Sequence, residues 1–276
     1  MSAHPGKTYP TDVDGLDVAV HDDRGVLELT IDRPDRRNAV TDDIVQALIG
    51  AIEAGGSDDA VRVIRLGGRG DHFCSGFDLA GRAKPDGPVR TGETQRRMRW
   101  QVNELIPTML ETQTPIVASV RGTAMGLGLA MTLAADFAVV ADDARLSAPF
   151  VRSGFTPDSG SSWLLPRLVG VARAKDMLLL GTMVDGATAA GWGMVHASVP
   201  VGEIDAAADA LVERLAASAT VAVGLAKSLV HRSLTADLDR HLADEATAIE
   251  LSSRSADFAE WSRAARDKRE PDFTGR

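Results

Sequence analysis

The chain has 276 residues, of which 44% are hydrophobic, and its 30 Lys and Arg against 39 Asp and Glu give a formal net charge of −9. The length fits one large domain or two small ones with a sizeable core. The acidic balance argues against a general binder of nucleic acid or of anionic membranes. The single cysteine, Cys74, excludes an internal disulfide. We find no signal peptide and no window near the roughly 18 apolar residues of a membrane span, so we expect a cytoplasmic protein.

Short apolar strands alternate with glycine-rich loops in the first part of the chain. The polar residues 1–22 predict a loose tail. Strands are predicted at 26–31, 61–66 and 116–120, and residues 81–92 are typical of a surface loop. Thr41 is the predicted N-cap of a helix that ends at Gly55 and Gly56, with an apolar face of Ile44, Val45, Leu48, Ile49 and Ile52. A further helix is predicted over 93–111, kinked at Pro107.

Helices dominate the remainder. A helix over 172–180 closed by Gly181 and a short helix from 185 precede a strand at 195–199. Beyond residue 203 the apolar spacing predicts helices alone, at 204–218, 222–233, 237–252 and 255–269. We therefore divide the chain into a tail (1–22), an α/β core (23–204) and a helical C-terminal region (205–276).

The central stretch runs from the strand at 116–120 through Gly122-Thr-Ala-Met-Gly126-Leu-Gly128 into a predicted helix at 129–135. Uncovered N–H groups at such a helix start can hold an anion or a developing oxyanion. The glycines do not make a dinucleotide-binding loop, because Met131 stands where G-x-G-x-x-G needs its third glycine. The alternative is that they only allow close packing of helix on strand.

Five motifs in order resemble one family. They are Asp-Arg-Pro-x-x-Arg-Asn-Ala at 32–39, Phe-Cys-Ser-Gly-Phe-Asp-Leu at 73–79, the central stretch 122–136, Thr-Pro-Asp-Ser-Gly at 156–160 with Leu-Pro-Arg-Leu-Val-Gly at 165–170, and Lys-Arg-Glu-Pro-Asp-Phe at 268–273. The chain is similar in these to the crotonase superfamily of enoyl-CoA hydratases and isomerases. The resemblance implies an α/β spiral of β-β-α turns with two nearly perpendicular sheets. It also implies that the C-terminal helices pack between subunits of a homotrimer or hexamer.

The resemblance also implies a site. Two backbone N–H groups would hold the thioester oxygen of an acyl-CoA substrate, one from Phe77 after Gly76 and one from Leu127 after Gly126. Family members have a third glycine where this chain has Leu127. Met125 and Phe150 are expected to line an apolar acyl pocket. The resemblance implies no cofactor beyond the coenzyme A of the substrate, and the histidines show no metal-ligand spacing, so we predict no metal.

The chain differs from the family in its acidic residues at the expected site. The two glutamates of the hydratases match Ala130 and Phe150, neither of which can move a proton, so two-glutamate hydration is implausible. Asp158 stands where the 1,2-epoxyphenylacetyl-CoA isomerase-like branch carries an aspartate in Pro-Asp-x-Gly. One carboxylate suffices to remove a proton and return it elsewhere, as an isomerase does. The alternative is that Asp158 only caps a helix starting at Ser159.

The remaining candidate site residues also have simpler structural explanations. Lys268 matches a family lysine that contacts a CoA phosphate, although it could equally be a solvated residue. A loop that binds the nucleotide in relatives contains Arg33, Arg36 and Arg37, and Arg82 is a further candidate for such a contact. We expect Cys74 to be a buried residue rather than a nucleophile, and Asp136 to be structural.

Three functions compete on this basis. The first is an acyl-CoA isomerase with Asp158 as its single acid and base. The second is a catalytically silent acyl-CoA-binding protein, which the loss of both glutamates favours. The third is a hydratase with an unusual arrangement of acids.

Overall fold

The computed structural model describes residues 8–79, 90–100 and 102–276, except for the side chain of Trp100. Arg82 and most of the predicted surface loop 81–92 lie outside these residues, as does the first part of the predicted tail.

Nine strands form two sheets in the described part of the chain. The larger sheet has the order β1-β2-β3-β4-β6-β9, in which β1 and β2 are antiparallel and the other neighbours are parallel. The smaller sheet has the order β5-β7-β8. The strands are β1 (Leu16–His21), β2 (Val26–Ile31), β3 (Val63–Gly68), β4 (Ile116–Val120), β5 (Thr123–Met125), β6 (Phe137–Ala141), β7 (Arg145–Ser147), β8 (Met183–Asp185) and β9 (Ala197–Val199).

The helices surround these sheets and continue beyond them at the C-terminus. They are α1 (Asp42–Gly56), α2 (Glu93–Trp100), α3 (Leu105–Glu111), α4 (Leu127–Ala134), α5 (Ser161–Leu179), α6 (Gly186–Gly191), α7 (Ile204–Ala216), α8 (Thr220–Ser233), α9 (Leu238–Ser252) and α10 (Ala256–Asp267). This mixed α/β architecture with C-terminal helices agrees with the fold that the resemblance implies. No helix in the described ranges has the length and apolar character needed to cross a bilayer.

Several elements confirm the sequence-based predictions. Strands β2 and β4 have the predicted bounds. Helix α1 begins after Thr41, whose hydroxyl oxygen accepts a hydrogen bond from the N–H of Ile44 at 3.3 Å. The four C-terminal helices begin and end within two residues of prediction.

Other elements correct the predictions. Residues 16–21 of the supposed loose tail form β1, paired along its whole length with β2. Pro107 does not kink a long helix, because α2 ends at Trp100 and Pro107 lies in the first turn of α3, where a missing N–H costs little. Strands β5, β7 and β8 have three residues each, too few to show an alternating pattern.

The core is most tightly packed around α4, where all eight residues are buried. Helix α7 covers the large sheet, with Ala208 and Val212 packed on valines of β2, β3 and β4. On α10, by contrast, Phe258 and Trp261 are exposed. The boundary at 204/205 stays a prediction.

Candidate active site

The loop 73–79 runs beside the junction between β5 and α4. Cys74 forms an isolated parallel bridge with Ala124. Its N–H donates to the carbonyl of Thr123 at 2.9 Å, and its carbonyl accepts from the N–H of Met125 at 3.0 Å. The thiol is fully buried, which raises its pKa to about 12 and makes it inert, as predicted. Two glycine-rich segments far apart in sequence are thus hydrogen-bonded side by side.

Gly76 lies against the end of β5 and the start of α4. Its φ is 104°, and a Cβ atom placed on it would lie 2.9 Å from the carbonyl oxygen of Met125 and 3.8 Å from the nitrogen of Leu127. A side chain here would be strained and crowded, so the position requires glycine. The two predicted oxyanion donors directly follow Gly76 and Gly126, and the contact brings the segments that carry them together.

The Phe77 backbone is fixed from its other side by Val40. The N–H of Val40 donates to the carbonyl of Gly76 at 2.9 Å, and the N–H of Asp78 donates to the carbonyl of Val40 at 2.8 Å. The guanidinium of Arg97 lies 5.9 Å from the centre of the Phe77 ring. The N–H of Phe77 donates to no backbone carbonyl within the described residues.

The second donor lies at the start of α4. Gly126 has φ of 55° and ψ of −116°, a conformation that side chains disfavour. Its N–H donates to the carbonyl of Ser147 at 3.1 Å, and its carbonyl accepts from the N–H of Ala130 at 3.0 Å. Leu127 is the first residue of the helix, so its N–H has no intrahelical acceptor and belongs to the positive end of the helix dipole.

Asp158 lies at the end of the segment that connects β7 to α5. The N–H of Phe155 donates to the carbonyl of Phe150 at 3.0 Å, which folds this segment back on itself. The Asp158 carboxyl is half-buried, and the hydroxyl of Ser159 donates to its Oδ1 at 2.8 Å. Burial raises the pKa of Asp158, and the Ser159 hydrogen bond opposes that rise.

The predicted capping role of Asp158 is wrong in its geometry. Helix α5 begins at Ser161, and its N-cap residue is Gly160, with no capping side chain. It is the backbone carbonyl of Asp158, not its carboxylate, that accepts from the N–H and the hydroxyl of Ser161, at 3.0 and 2.8 Å. The Asp158 carboxylate therefore does not cap α5.

A cavity of about 690 Å³ opens beside this turn. Gly160 and Trp163 form one wall, Ile106 and Pro107 of α3 a second, and His231 of α8 a third. Phe77 and Leu127 are not among the residues that line it.

Comparison with known proteins decides the family. A family model described as "Enoyl-CoA hydratase/isomerase" matches residues 21–276. The chain belongs to this family. It is 34% identical over 258 residues to "1,2-epoxyphenylacetyl-CoA isomerase" of Escherichia coli K12, an alignment that covers 93% of this chain and 97% of the relative. It is 33% identical to "Probable enoyl-CoA hydratase" of Rhodobacter capsulatus, covering 91% and 95% of the two chains.

Solved structures agree with this assignment. The crystal structure of an enoyl-CoA hydratase from Mycobacterium smegmatis superposes with a TM-score of 0.86 at 28% identity, covering 95% of this chain and 99% of that one. The protein is therefore an acyl-CoA-processing enzyme of the enoyl-CoA hydratase/isomerase family, with the crotonase fold.

The positions that the resemblance matches to the family's two glutamates are apolar in this enzyme. Ala130 is fully buried inside α4. The ring of Phe150 lies 3.8 Å from the point where a Cβ atom of Gly126 would be, so an aromatic ring borders the start of α4. Met125, the last residue of β5, is half-buried beside it. The roles of Met125 and Phe150 in an acyl pocket stay predictions.

The predicted CoA contacts of Arg36 and Lys268 stay predictions. Arg36 is exposed and its nearest charged partner is its neighbour Asp35, at 3.5 Å. Lys268 ends α10 in a left-handed conformation and is exposed. Arg33 pairs with Asp78 at 3.0 Å and so braces the loop 73–79 rather than facing solvent. Within the described ranges no three His, Cys, Asp or Glu residues cluster as a metal site would require.

Sequence reasoning missed a buried lysine. Lys227 of α8 lies 2.8 Å from Asp136 and donates to the carbonyls of Met109 and Thr114. Asp136 also accepts from the N–H of Ile116 at 2.7 Å, which confirms its structural role. Burial lowers the pKa of Lys227, and the Asp136 charge opposes that change. Lys227 was overlooked because its helix shows only an apolar stripe in sequence.

Proposed function

We propose that this enzyme moves the double bond of an enoyl-CoA ester, with Asp158 as the single acid and base. The observation that carries the proposal is that Asp158 is the only acidic residue in the segment 149–160, while Phe150 in the same segment places an aromatic ring beside the start of α4. Hydration needs one group to activate water and a second to deliver a proton. Isomerisation needs one group that does both jobs in turn.

The chemical steps balance on one carboxylate. Asp158 accepts a proton from C2 of a 3-enoyl-CoA, and the electron pair of that C–H bond moves into a dienolate. The thioester oxygen then carries negative charge, which the N–H groups of Phe77 and Leu127 stabilise without reorganising. The protonated Asp158 returns the proton to C4, which leaves a 2-enoyl-CoA and the original carboxylate. No cofactor other than the substrate's coenzyme A enters the scheme.

Two features support the proposal. Burial raises the pKa of Asp158, which makes it a stronger base than an exposed aspartate and a matched acid for the return step. The Escherichia coli relative at 34% identity is named for an isomerase activity on an acyl-CoA.

The remaining parts of the proposal concern contacts and assembly. We propose that Gly76 and Gly126 allow the thioester to approach, that Met125 and Phe150 contact the acyl group, and that Arg36 and Lys268 contact CoA phosphates. We further propose a homotrimer or hexamer in the cytoplasm.

A catalytically silent acyl-CoA-binding protein is the second candidate. The replacement of both family glutamates by Ala130 and Phe150 favours it, because the donor loops for the thioester would remain while most of the acid–base machinery is gone.

The test compares turnover of a short-chain 3-enoyl-CoA and a 2-enoyl-CoA by the wild type and by Asp158→Asn. We expect the wild type to isomerise the 3-enoyl ester and the variant to lose at least 100-fold in kcat, in keeping with the roughly 10²–10⁴-fold worth of general acid–base catalysis. Asp143→Asn, in the exposed turn after β6, is the matched control and should behave as the wild type.

Three results would contradict the proposal. Isomerisation that survives in Asp158→Asn would remove Asp158 from the mechanism. Tight binding of both esters without conversion would favour the silent binder. Hydration of the 2-enoyl ester would show that water activation does not need the two missing glutamates.

A further inference from the structure

Ser159 combines two properties that a turn residue does not need. It is 3% exposed, and its backbone adopts φ of 51°, a left-handed conformation that costs energy for any residue with a side chain. Its neighbour Gly160 and the nearby Gly154 are also left-handed, and both are glycines. A glycine at 159 would make the same turn without strain, so the conformation alone does not account for the serine.

The side chain of Ser159 has one described partner, the Asp158 carboxyl. Its hydroxyl donates to Oδ1 at 2.8 Å. Because Ser159 is buried, its hydroxyl is shielded from water, and the bond engages one carboxyl oxygen while leaving Oδ2 for other contacts. A donated hydrogen bond stabilises the ionised carboxylate against its own burial.

We propose that Ser159 is a positioning residue for Asp158: its hydroxyl orients the carboxylate and keeps it ionised, ready to accept a proton. This inference rests on the proposed function, in which Asp158 is the base.

Charged groups near this turn belong to other contacts. Helix α4 contains no titratable residue. Glu111 of α3 and the α8 residues His231 and Arg232 line the cavity next to Gly160, and none of them bonds to the Asp158 carboxyl within the described residues. Arg152, in the turn before, lies against Gly181. The Ser159 hydroxyl is thus the described polar group that acts on this carboxylate.

The test measures the pH dependence of kcat/KM for a short-chain 3-enoyl-CoA in the wild type, Ser159→Ala and Ser159→Gly. Removing the hydroxyl removes support for the charged form, so the pKa of Asp158 rises and the acidic limb of the profile moves to higher pH, by about one unit. We expect the same shift in both variants, with little change in KM. Ser162→Ala removes an exposed hydroxyl from the first turn of α5 and should leave the profile unchanged.

The glycine variant separates positioning from folding. Ser159→Gly relieves the backbone strain, which offsets the loss of the hydrogen bond to Asp158, so its Tm should stay close to that of the wild type while its acidic limb still moves. A stable variant with an altered profile supports the proposal. An acidic limb that stays at the wild-type pH in both variants overturns it.

A second measurement does not depend on turnover. In protein labelled with ¹³C at the aspartate carboxyl, the Asp158 signal is assigned by its loss in Asp158→Asn, and its pKa should be higher in both Ser159 variants. If Asp158→Asn retains full activity, the proposed function fails. If Asp158→Asn is inactive but the Ser159 variants leave the Asp158 pKa unchanged, only the positioning role fails.

Discussion

At the scale of a single residue, burial and one hydrogen bond set the charge of Asp158, the proposed base and acid. Burial penalises its charge, and one hydrogen bond from Ser159 partly restores it. The folded pKa is above the value of an ordinary aspartate, so the ionised group destabilises the native state. A residue kept for function in this way should cost stability.

We predict that Asp158→Asn stabilises the protein at neutral pH. In the wild type the pKa of Asp158 is raised on folding, so its buried charge costs stability. This cost is fully present above the folded pKa and disappears as the pH falls below the unfolded pKa of about 3.9. Asparagine has the same shape, carries no charge and can still accept from Ser159. The free energy of unfolding of Asp158→Asn, measured with urea at pH 7 and at successively lower pH, should exceed that of the wild type by an amount that decreases as the pH falls.

Asp143→Asn serves as the control for that series, because an exposed side chain should show no such trend. If Asp158→Asn is less stable than the wild type at pH 7, interactions other than the Ser159 hydrogen bond stabilise the Asp158 carboxylate in the folded protein.

At the scale of elements, the donor loops depend on how closely α4 approaches the loop 73–79. A Cβ atom on Gly128 would lie 2.2 Å from the carbonyl oxygen of Cys74, which is closer than any real contact. The second residue of the helix is therefore pressed against the chain that leads to Phe77. We expect this contact to influence the separation of the two predicted donors.

We predict that Gly128→Ala forces these elements apart. Overpacking of this kind costs about 1–3 kcal/mol of stability. Because the distance between the N–H groups of Phe77 and Leu127 would change, kcat should fall by about 10²-fold, the loss seen when one oxyanion donor is removed. Denaturant unfolding and turnover of the 3-enoyl ester check both effects.

Gly50→Ala is the matched control. Gly50 lies inside α1 with nothing within 4 Å of its Cβ position, so alanine there should stabilise by about 0.5–1 kcal/mol and leave activity unchanged. Wild-type activity in Gly128→Ala would show that the loop separation does not matter to the reaction.

At the scale of the whole molecule, the C-terminal helices carry apolar side chains that their own chain does not cover. Exposed large apolar residues on α8, α9 and α10 are Val230, Leu238, Leu242, Ile249, Leu251, Phe258 and Trp261. Apolar surface on this scale is typical of an interface, and the resemblance implies a neighbouring subunit as the occupant.

We predict a homo-oligomer of three or six 29.2 kDa chains, measured by light scattering coupled to size exclusion. Ile249→Arg places a charge on α9, where the side chain is 64% exposed, and should yield a smaller species. Val201→Arg, at a residue 56% exposed between β9 and α7, should leave the mass unchanged. A wild type that runs as a monomer would contradict this assembly.

Much of the fold could be predicted from local signals. The alternation at 26–31, the Thr41 cap and the apolar stripes of α7 to α10 all report structure within a few residues of sequence. The short strands β5, β7 and β8 carry no such signal, because three residues give no period and their partners are distant. Strand β1 was missed among the aspartates of residues 1–22, although Leu16, Val18 and Val20 alternate along it and it pairs with β2.

For the candidate site, the sequence by itself determined the family, the glycine positions and the absence of acids at 130 and 150, since these are matters of residue identity. The tertiary structure decided what those residues touch. Only the tertiary structure places Gly128 against Cys74 and pairs Lys227 with Asp136. It also directs the Ser159 hydroxyl to the Asp158 carboxyl. These contacts depend on long-range packing and on a left-handed backbone at a serine, neither of which leaves a pattern in the order of the residues.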